Sequence, residues 1–142
     1  MRRNSRGVDL NRNFDSGTWA PSTPGTPTYG GPRPASEPET RALQRFLAAV
    51  RPRLMIVWHQ AGRHVDDNRT VADYSLLQRY AELTGFPIRS TSSLSTAFGG
   101  SATSYVNRRL GATAFTVEMP SSFRFVTARR HGNAFLEVAS GS

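Results

Sequence analysis

The sequence predicts an α/β fold: a mixed, mostly parallel sheet flanked by helices, formed by residues 1–142 as a single domain. Two observations support this prediction. The run Leu54–Trp58 is continuously apolar, which is typical of a strand buried on both faces of a sheet, and Ala112–Val117 is predicted to be a second buried strand. The segments around these runs carry apolar residues at helical spacing, as expected for helices that pack on such a sheet.

Composition narrows the class of protein. A chain of 142 residues can bury one core, and its 37% of apolar residues argues against wholesale disorder. The absence of cysteine excludes disulfides and thiolate metal sites. No run of about 18 apolar residues could form a transmembrane helix, and no apolar region follows Met1–Arg3 as it would in a signal peptide. The compartment is left open.

Charge bears on the choice of partner. The net charge is +8, and all 18 basic residues are arginine. These arginines are scattered along the chain, whereas a nucleic-acid-binding protein would cluster them on one face with aromatic residues between them. We therefore predict no nucleic-acid partner. The positive charge would still favour anionic partners such as cell-wall polymers.

The first segment with a recognisable pattern is Gly7–Phe14, in which apolar and polar residues alternate. Alternation predicts a half-buried strand or the exit from one. Arg12 carries a planar cation that can bind a carboxylate through two hydrogen bonds, and Asn11 adds amide donors beside it. This pair could form a receptor for a carboxylate. The alternative is an ordinary strand end with a solvated arginine.

A loop rich in Gly, Pro, Ser and Thr follows over Asp15–Pro34, with Trp19 and Tyr29 as its anchors. A helix is predicted next, because Ser36–Glu39 has the spacing of a capping box and a proline in the first turn. This helix extends to about Val50, where a proline ends it. Its predicted inward face consists of Ala42, Leu43, Phe46, Leu47 and Val50.

The predicted central strand Leu54–Trp58 is followed by a polar loop over Gln60–Thr70 and a helix over Val71–Thr84. The inward residues of that helix are predicted to be Tyr74, Leu77, Tyr80 and Ala81. The remaining predicted elements are a short strand at Ile88, a loop over Thr91–Ser101, a helix over Ala102–Leu110 ended by Gly111, the strand Ala112–Val117, and a helix over Thr127–Val138 with Phe135 and Val138 inward.

Both predicted buried strands are followed by a strongly polar residue, His59 in one case and Glu118 in the other. Ligand sites of open α/β sheets lie at the carboxyl ends of the strands. The two side chains would therefore meet at one sheet edge as a metal ligand and a general base. The structural alternatives are a histidine that caps a strand and a salt-bridged acid, although an unpaired buried carboxylate would be costly.

These segments resemble a known family. Gly7–Phe14 resembles the carboxylate-binding segment of the zinc carboxypeptidases of the A/B type, and Arg2–Phe14 is most similar to the bacterial branch that includes the murein peptide amidases. Further similarities follow in the same order over Tyr29–Leu43, Met55–Gln60 and Ala114–Pro120. The resemblance implies hydrolysis of a C-terminal peptide bond or a cell-wall amide bond in a peptide with a free C-terminal carboxylate.

The resemblance also implies roles for individual residues. Asn11 and Arg12 match the clamp for the substrate carboxylate. Arg2 matches the arginine that stabilises the oxyanion, with Arg3 as the alternative.

For the metal, the resemblance implies one zinc ion. His59 matches the third zinc ligand and Glu118 the catalytic glutamate.

The sequence departs from the family pattern in two places. The His-x-x-Glu pair that supplies the first two zinc ligands should lie before Arg2 and is absent, so we expect the chain to be the C-terminal part of a larger domain. The His-x-x-Asp spacing at His64–Asp67 lies in the predicted loop and is interpreted as coincidence. The family's mobile tyrosine should lie near Ser95–Phe98, which has none, and Tyr105 comes too late to match. The resemblance implies that Ala102, just past that motif, lines the pocket for the substrate side chain, and its small size would not select a basic side chain.

Two other classes of function stay open at this stage. A non-catalytic binding protein would keep the clamp of Asn11 and Arg12 without the metal, and its zinc content would distinguish it from an enzyme. An arginine-rich nucleic-acid binder would show a steeply salt-dependent affinity for DNA and ranks last.

Overall fold

The computed structural model describes residues 2–67, 71–90, 99–122 and 125–141. Its elements are a 3₁₀ turn Leu10–Arg12, helix α1 (Pro38–Val50), strand β1 (Leu54–Gln60), strand β2 (His64–Asp67), helix α2 (Tyr74–Thr84), strand β3 (Ile88–Ser90), helix α3 (Ala102–Tyr105) continued by a π-helical turn Val106–Leu110, strand β4 (Thr113–Met119) and helix α4 (Phe125–Ser140). No helix within these ranges is long and apolar enough to cross a membrane.

The strands form one four-stranded sheet in the order β1-β4-β2-β3. Strands β1 and β4 are parallel, as are β2 and β3, whereas β2 and β4 are antiparallel. The predicted mixed sheet flanked by helices is therefore confirmed.

The prediction that Leu54–Trp58 is a central strand buried on both faces is wrong. Strand β1 lies at the edge of the sheet formed by the described strands, and Ile56 is its one buried residue. Strand β4 takes the central position, with hydrogen-bonded neighbours on both sides. Every residue of β4 except Glu118 is buried. A continuous apolar run does not distinguish an edge strand from a central one.

Helices cover both faces of the sheet, and β4 contributes to two separate clusters. Phe115 and Val117 pack with residues of α2 and α4, and the Phe115 ring lies 5.4 Å from that of Tyr80. Ala114 packs on the other face with Leu47 of α1 and with the π-helical turn. Because side chains alternate along a strand, Glu118 lies on the same face as Ala114.

Two predictions about irregular segments are corrected. Gly7–Phe14 is not a strand. It contributes one isolated bridge between Arg3 and Asp9 and then the 3₁₀ turn, because the Asp9 side chain accepts the Asn11 N–H and caps the turn. The predicted loop Gln60–Thr70 contains β2, a strand too short for its alternation to stand out from the sequence.

Helix α1 begins with proline in its first turn as predicted, but the predicted capping box does not form. Its N-cap residue is Glu37, which makes no side-chain capping bond. The predicted inward face is also wrong in part: Leu47 is buried, whereas Leu43, Phe46 and Val50 are 43%, 60% and 55% exposed.

The other predicted helices are confirmed with shifted ends. Helix α2 begins at Tyr74 rather than Val71, because the Asp73 side chain caps it, and Tyr74 is exposed rather than inward. The predicted helix Ala102–Leu110 ends at Gly111, in the left-handed conformation. Helix α4 extends past both ends of its predicted range and directs Val138 into the core.

Candidate active site

The structure places His59 and Glu118 side by side at the end of the sheet. Strands β1 and β4 are in parallel register with His59 opposite Glu118. The distance from His59 Nδ1 to Glu118 Oε1 is 3.6 Å, and the two side chains are 36% and 24% exposed. Both groups are therefore close together and reachable by water, which a metal ligand and a general base both require.

A second histidine lies beside Glu118. Strand β2 is antiparallel to β4 with His64 opposite Glu118, so the three side chains form a row across three adjacent strands. Gly62 packs closely against two of these residues: a Cβ atom there would lie 2.7 Å from Glu118 Cβ and 2.7 Å from His64 Cε1. No side chain larger than hydrogen fits at residue 62 while these two positions are kept.

The 3₁₀ turn that carries the predicted clamp is organised by Asp9. Its buried carboxylate accepts a hydrogen bond from Arg2 Nε at 2.7 Å and another from the Asn11 N–H at 3.1 Å. The Asn11 side-chain oxygen accepts the Ala102 N–H at 3.0 Å. This bond orients the Asn11 side chain and leaves its amide N–H donors for a ligand, which suits a carboxylate.

Arg12 lies in the same group of charges. Its Nη1 donates to the Asn11 carbonyl oxygen at 2.6 Å. Burial lowers the pKa of Arg12, Asp9 opposes that effect, and the charge of Arg2 lowers the pKa further. A guanidinium still remains protonated in a protein. The turn therefore holds two arginines near a single aspartate, and a bound anion would be stabilised there.

Two glycines allow the backbone to pack closely against this turn. A Cβ atom at Gly30 would lie 2.5 Å from the Arg12 carbonyl oxygen, and one at Gly100 would lie 2.3 Å from the same atom. Gly100 also has a φ of +79°, which side-chain-bearing residues rarely adopt. The predicted anchor Trp19 adds a hydrogen bond from its Nε1 to the Gly30 carbonyl at 3.2 Å.

A buried polar network ties the clamp segment to the start of α1. The Asn13 amide nitrogen donates to the Gly30 carbonyl at 2.7 Å and to Ser36 Oγ at 2.8 Å, and its oxygen accepts the Glu37 N–H at 3.1 Å. The fully buried Glu37 carboxylate accepts hydrogen bonds from Asn4 at 2.9 Å and Ser36 at 2.8 Å. These bonds fix the clamp segment to the N-terminal end of α1.

The clamp turn and the histidine–glutamate pair lie over the same face of the sheet. Phe14, which follows the turn, packs in the cluster that contains Ala114, and its ring lies 5.9 Å from that of Tyr105. Ala114 shares the face of Glu118, as the alternation of β4 requires. Tyr105 is a core residue of this cluster, and the segment Ser95–Phe98 lies outside the described residues.

The residues at this site do not by themselves form a complete zinc centre. Within the described ranges, no group of three or more His, Asp or Glu side chains is placed to hold a metal ion. Zinc sites of hydrolytic enzymes use three protein ligands and leave one position open. His59 could supply one of them.

Sequence reasoning missed the roles of Asp9, Asn13 and Glu37, and it interpreted the spacing at His64 as coincidence. The role of Asp9 could have been predicted locally. Its side chain accepts the N–H of the residue two positions later, which is the spacing of an Asx turn. The partners of Asn13 and Glu37 are distant in sequence, and that of His64 depends on the sheet order, so no local pattern reveals them.

Comparison with known proteins identifies the class. A model of the zinc carboxypeptidase family matches residues 1–136. The chain therefore belongs to this family of hydrolytic zinc enzymes. Among curated proteins it is similar to murein peptide amidase A of Escherichia coli, with 31% identity over 80 residues, which cover 49% of this chain and 33% of that protein.

Solved structures show the same fold. The murein-tripeptide amidase of Escherichia coli O157 superposes with a TM-score of 0.67 at 24% identity, over 96% of this chain and 58% of that one. Bovine thrombin-activatable fibrinolysis inhibitor, in complex with tick carboxypeptidase inhibitor, superposes with a TM-score of 0.75 at 21% identity, over 94% and 56% of the two chains. The chain thus spans between a third and three fifths of the length of these relatives.

Proposed function

We propose that this chain forms the substrate-binding and general-base part of a zinc carboxypeptidase-type hydrolase. The substrate would be a peptide or a cell-wall peptide with a free C-terminal carboxylate, cleaved at its last peptide bond or at a murein-peptide amide bond. One observation carries the proposal: His59 and Glu118 lie 3.6 Å apart over the same sheet face as the clamp turn. The similarity to a murein peptide amidase supports the choice of substrate.

In this proposal Glu118 accepts a proton from the attacking water and returns it to the leaving amine. Its partial exposure gives water access to the carboxylate. Arg12 and Asn11 bind the substrate carboxylate and so fix the position of the scissile bond relative to Glu118.

Arg2 is the better candidate for stabilising the oxyanion. The Arg2 side chain is 55% exposed and is held by Asp9 through Nε, which leaves its Nη donors to face a ligand. The alternative, Arg3, donates from its Nη1 to the Gly25 carbonyl at 3.0 Å, within the loop Asp15–Pro34.

No step is assigned to zinc in this proposal, since the described residues do not complete a site for it. When bound, zinc in such enzymes polarises the carbonyl and activates water. His59 would contribute one ligand, and the other two would come from outside the described residues.

A second candidate function is carboxylate binding without catalysis. It is favoured by hydrogen bonds that hold the clamp turn without any metal: the Asp9 carboxylate accepts the Asn11 N–H, and the Asn11 side-chain oxygen accepts the Ala102 N–H. Zinc content distinguishes the two functions in a longer form that supplies a His-x-x-Glu segment: about one tightly bound ion per molecule supports the enzyme, as a catalytic site requires.

Substitutions at the pair test the enzymatic proposal in a longer form that supplies a His-x-x-Glu segment. Glu118→Gln should keep zinc but lower turnover by about 10²-fold or more, because the amide cannot accept the proton. His59→Ala should lose zinc and turnover together. Glu82→Gln, at a side chain that is 69% exposed, is the control and should change neither. Full turnover in the Glu118→Gln variant would refute the assigned base.

A further inference from the structure

A cavity of about 340 Å³ lies on the opposite side of the sheet from the candidate active site. It opens between the end of α2, the beginning of α4 and the segment before β2. Its polar lining residues include His131, Arg63 and Arg130, with Ser122 and Thr127 beside them. Its volume lies within the range of small-molecule sites in proteins.

His131 is the buried residue of this lining, with 3% of its surface exposed. Its Nδ1 lies 2.7 Å from the Tyr80 hydroxyl, which also accepts a hydrogen bond from Trp58 Nε1 at 3.2 Å. Its Nε2 is buried and has no hydrogen-bond partner in the described part of the chain. A buried imidazole nitrogen without a partner is costly, which makes a ligand for it worth seeking.

The hydrogen-bond pattern assigns the tautomer of this histidine. If Nδ1 carried the proton, neither the Tyr80 hydroxyl proton nor the Nε2 lone pair would have a partner. With the Tyr80 O–H donating to Nδ1, only the Nε2–H of His131 remains unpaired. Burial raises the pKa of Tyr80 to about 12, against a smaller effect of Trp58, so the phenol keeps the proton that it donates.

The charges that line the cavity, like the Nε2–H donor of His131, favour an anionic ligand. Burial, reinforced by the charge of Arg130, lowers the pKa of His131, which is therefore neutral near pH 7 and donates from Nε2. Within the described ranges, neither Arg63 nor Arg130 has a carboxylate within 4.0 Å. The cavity thus combines one buried N–H donor with two guanidinium groups and no opposing acid in its lining.

We propose that this cavity binds a small anion, a phosphate or a carboxylate, through His131 Nε2–H and the guanidinium groups of Arg63 and Arg130. Planar guanidinium groups bind both kinds of anion through paired hydrogen bonds. The site is separate from the clamp turn and does not depend on the function proposed for it.

NMR of the ¹⁵N-labelled chain tests this proposal through the ring nitrogens of His131. Sodium phosphate and sodium acetate are titrated separately against sodium chloride at equal ionic strength. We expect a saturable shift of Nε2 with at least one of the two anions, and the stronger of them identifies the ligand class. Arg130→Ala should weaken that binding by about tenfold or more, the loss expected for a charge-assisted pair.

Two further variants sharpen the test. Arg63→Asn removes the second guanidinium and keeps a residue that tolerates the φ of 56° found there, and it should also weaken binding. Arg129→Ala removes an exposed arginine of the same helix that does not line the cavity, and it should leave binding unchanged. A protonated Nδ1, shifts no larger than those caused by chloride, or an equal loss in Arg129→Ala would overturn the proposal.

Discussion

Single buried side chains decide how the candidate site is held, and Glu37 is the clearest case. Burial acts to raise its pKa, but the hydrogen bonds from Asn4 and Ser36, together with two nearby arginines, outweigh burial and hold its pKa below the usual value. The charged form of Glu37 is therefore the one that the folded state stabilises.

This direction predicts a pH dependence of stability. Because the folded pKa lies below the unfolded value of about 4.3, the contribution of Glu37 is fully present above that value and is lost as the pH falls through the folded pKa. Glu37→Gln should lower the free energy of unfolding at pH 7 by about 1–3 kcal/mol, since buried hydrogen bonds to a charge are lost. Urea unfolding at pH 7 and at acidic pH measures both effects.

The variant should also lose less stability on acidification than the parent chain. Glu82→Gln, at an exposed glutamate, serves as the control and should follow the parent. An equal acid dependence of the Glu37→Gln variant and the parent would show that Glu37 is not the group that titrates.

Residues at strand ends could be predicted from the sequence, whereas their surroundings could not. His59 and Glu118 stand out because each is the first strongly polar residue after a predicted buried strand, and the parallel register of β1 and β4 brings them together. The third member of the row, His64, depends on the antiparallel pairing of β2 with β4. Pairing of that kind is a tertiary property that local spacing does not encode.

At the scale of elements, one side chain joins the π-helical turn to β4. The buried amide of Asn107 donates to the Ala114 carbonyl at 2.8 Å and accepts the Ala114 N–H at 2.7 Å. It lies beyond the last pair of β2 and β4, Asp66–Thr116, and supplies the hydrogen bonds that a longer strand would have made. The sheet is thereby fixed to the helical segment that also carries Ala102.

Asn107→Ala should therefore destabilise the fold strongly. The substitution leaves both backbone groups of Ala114 without this partner, and unsatisfied buried groups cost about 1–3 kcal/mol each, so a loss of about 2–6 kcal/mol is expected. Asn133→Ala, at an exposed position of α4, is the matched control. Thermal or urea unfolding measures the difference, and similar stabilities of the two variants would contradict this role.

The helices α1, α2 and α4 could be predicted because their apolar residues recur at helical spacing over several turns and the sequence marks their ends. The ends shifted where a side-chain cap competed with the apolar pattern, as at Asp73. Strand β2 was missed because it has only four residues, and the edge position of β1 was missed because an apolar run does not report its neighbours.

For the whole molecule, the exposed side of α1 sets an expectation about solution behaviour. Leu43, Phe46 and Val50 share the predicted apolar face of this helix, yet all three are exposed, and β1, the next strand in the sequence, lies at the edge of the sheet formed by the described strands. Exposed apolar patches and open strand edges favour association and dye binding.

We expect the 142-residue chain to bind an apolar dye and to be marginally stable. Phe46→Gln should reduce dye fluorescence, because Phe46 is 60% exposed, with little effect on stability. Leu47→Gln is the contrasting variant and should unfold the chain, because it places a polar group at a buried core position. A monomer with a sharp thermal transition and no dye binding would contradict the expectation.

The central claim is that the turn around Arg12 recognises a substrate carboxylate. The most direct test measures binding of a short peptide and of its C-terminal amide to the parent chain, Arg12→Ala and Arg45→Ala, an exposed arginine of α1 that serves as the control. The parent and the control should prefer the free carboxylate by about tenfold or more, and Arg12→Ala should lose that preference. Equal losses of both ligands in Arg12→Ala, or no preference in the parent, would contradict the account.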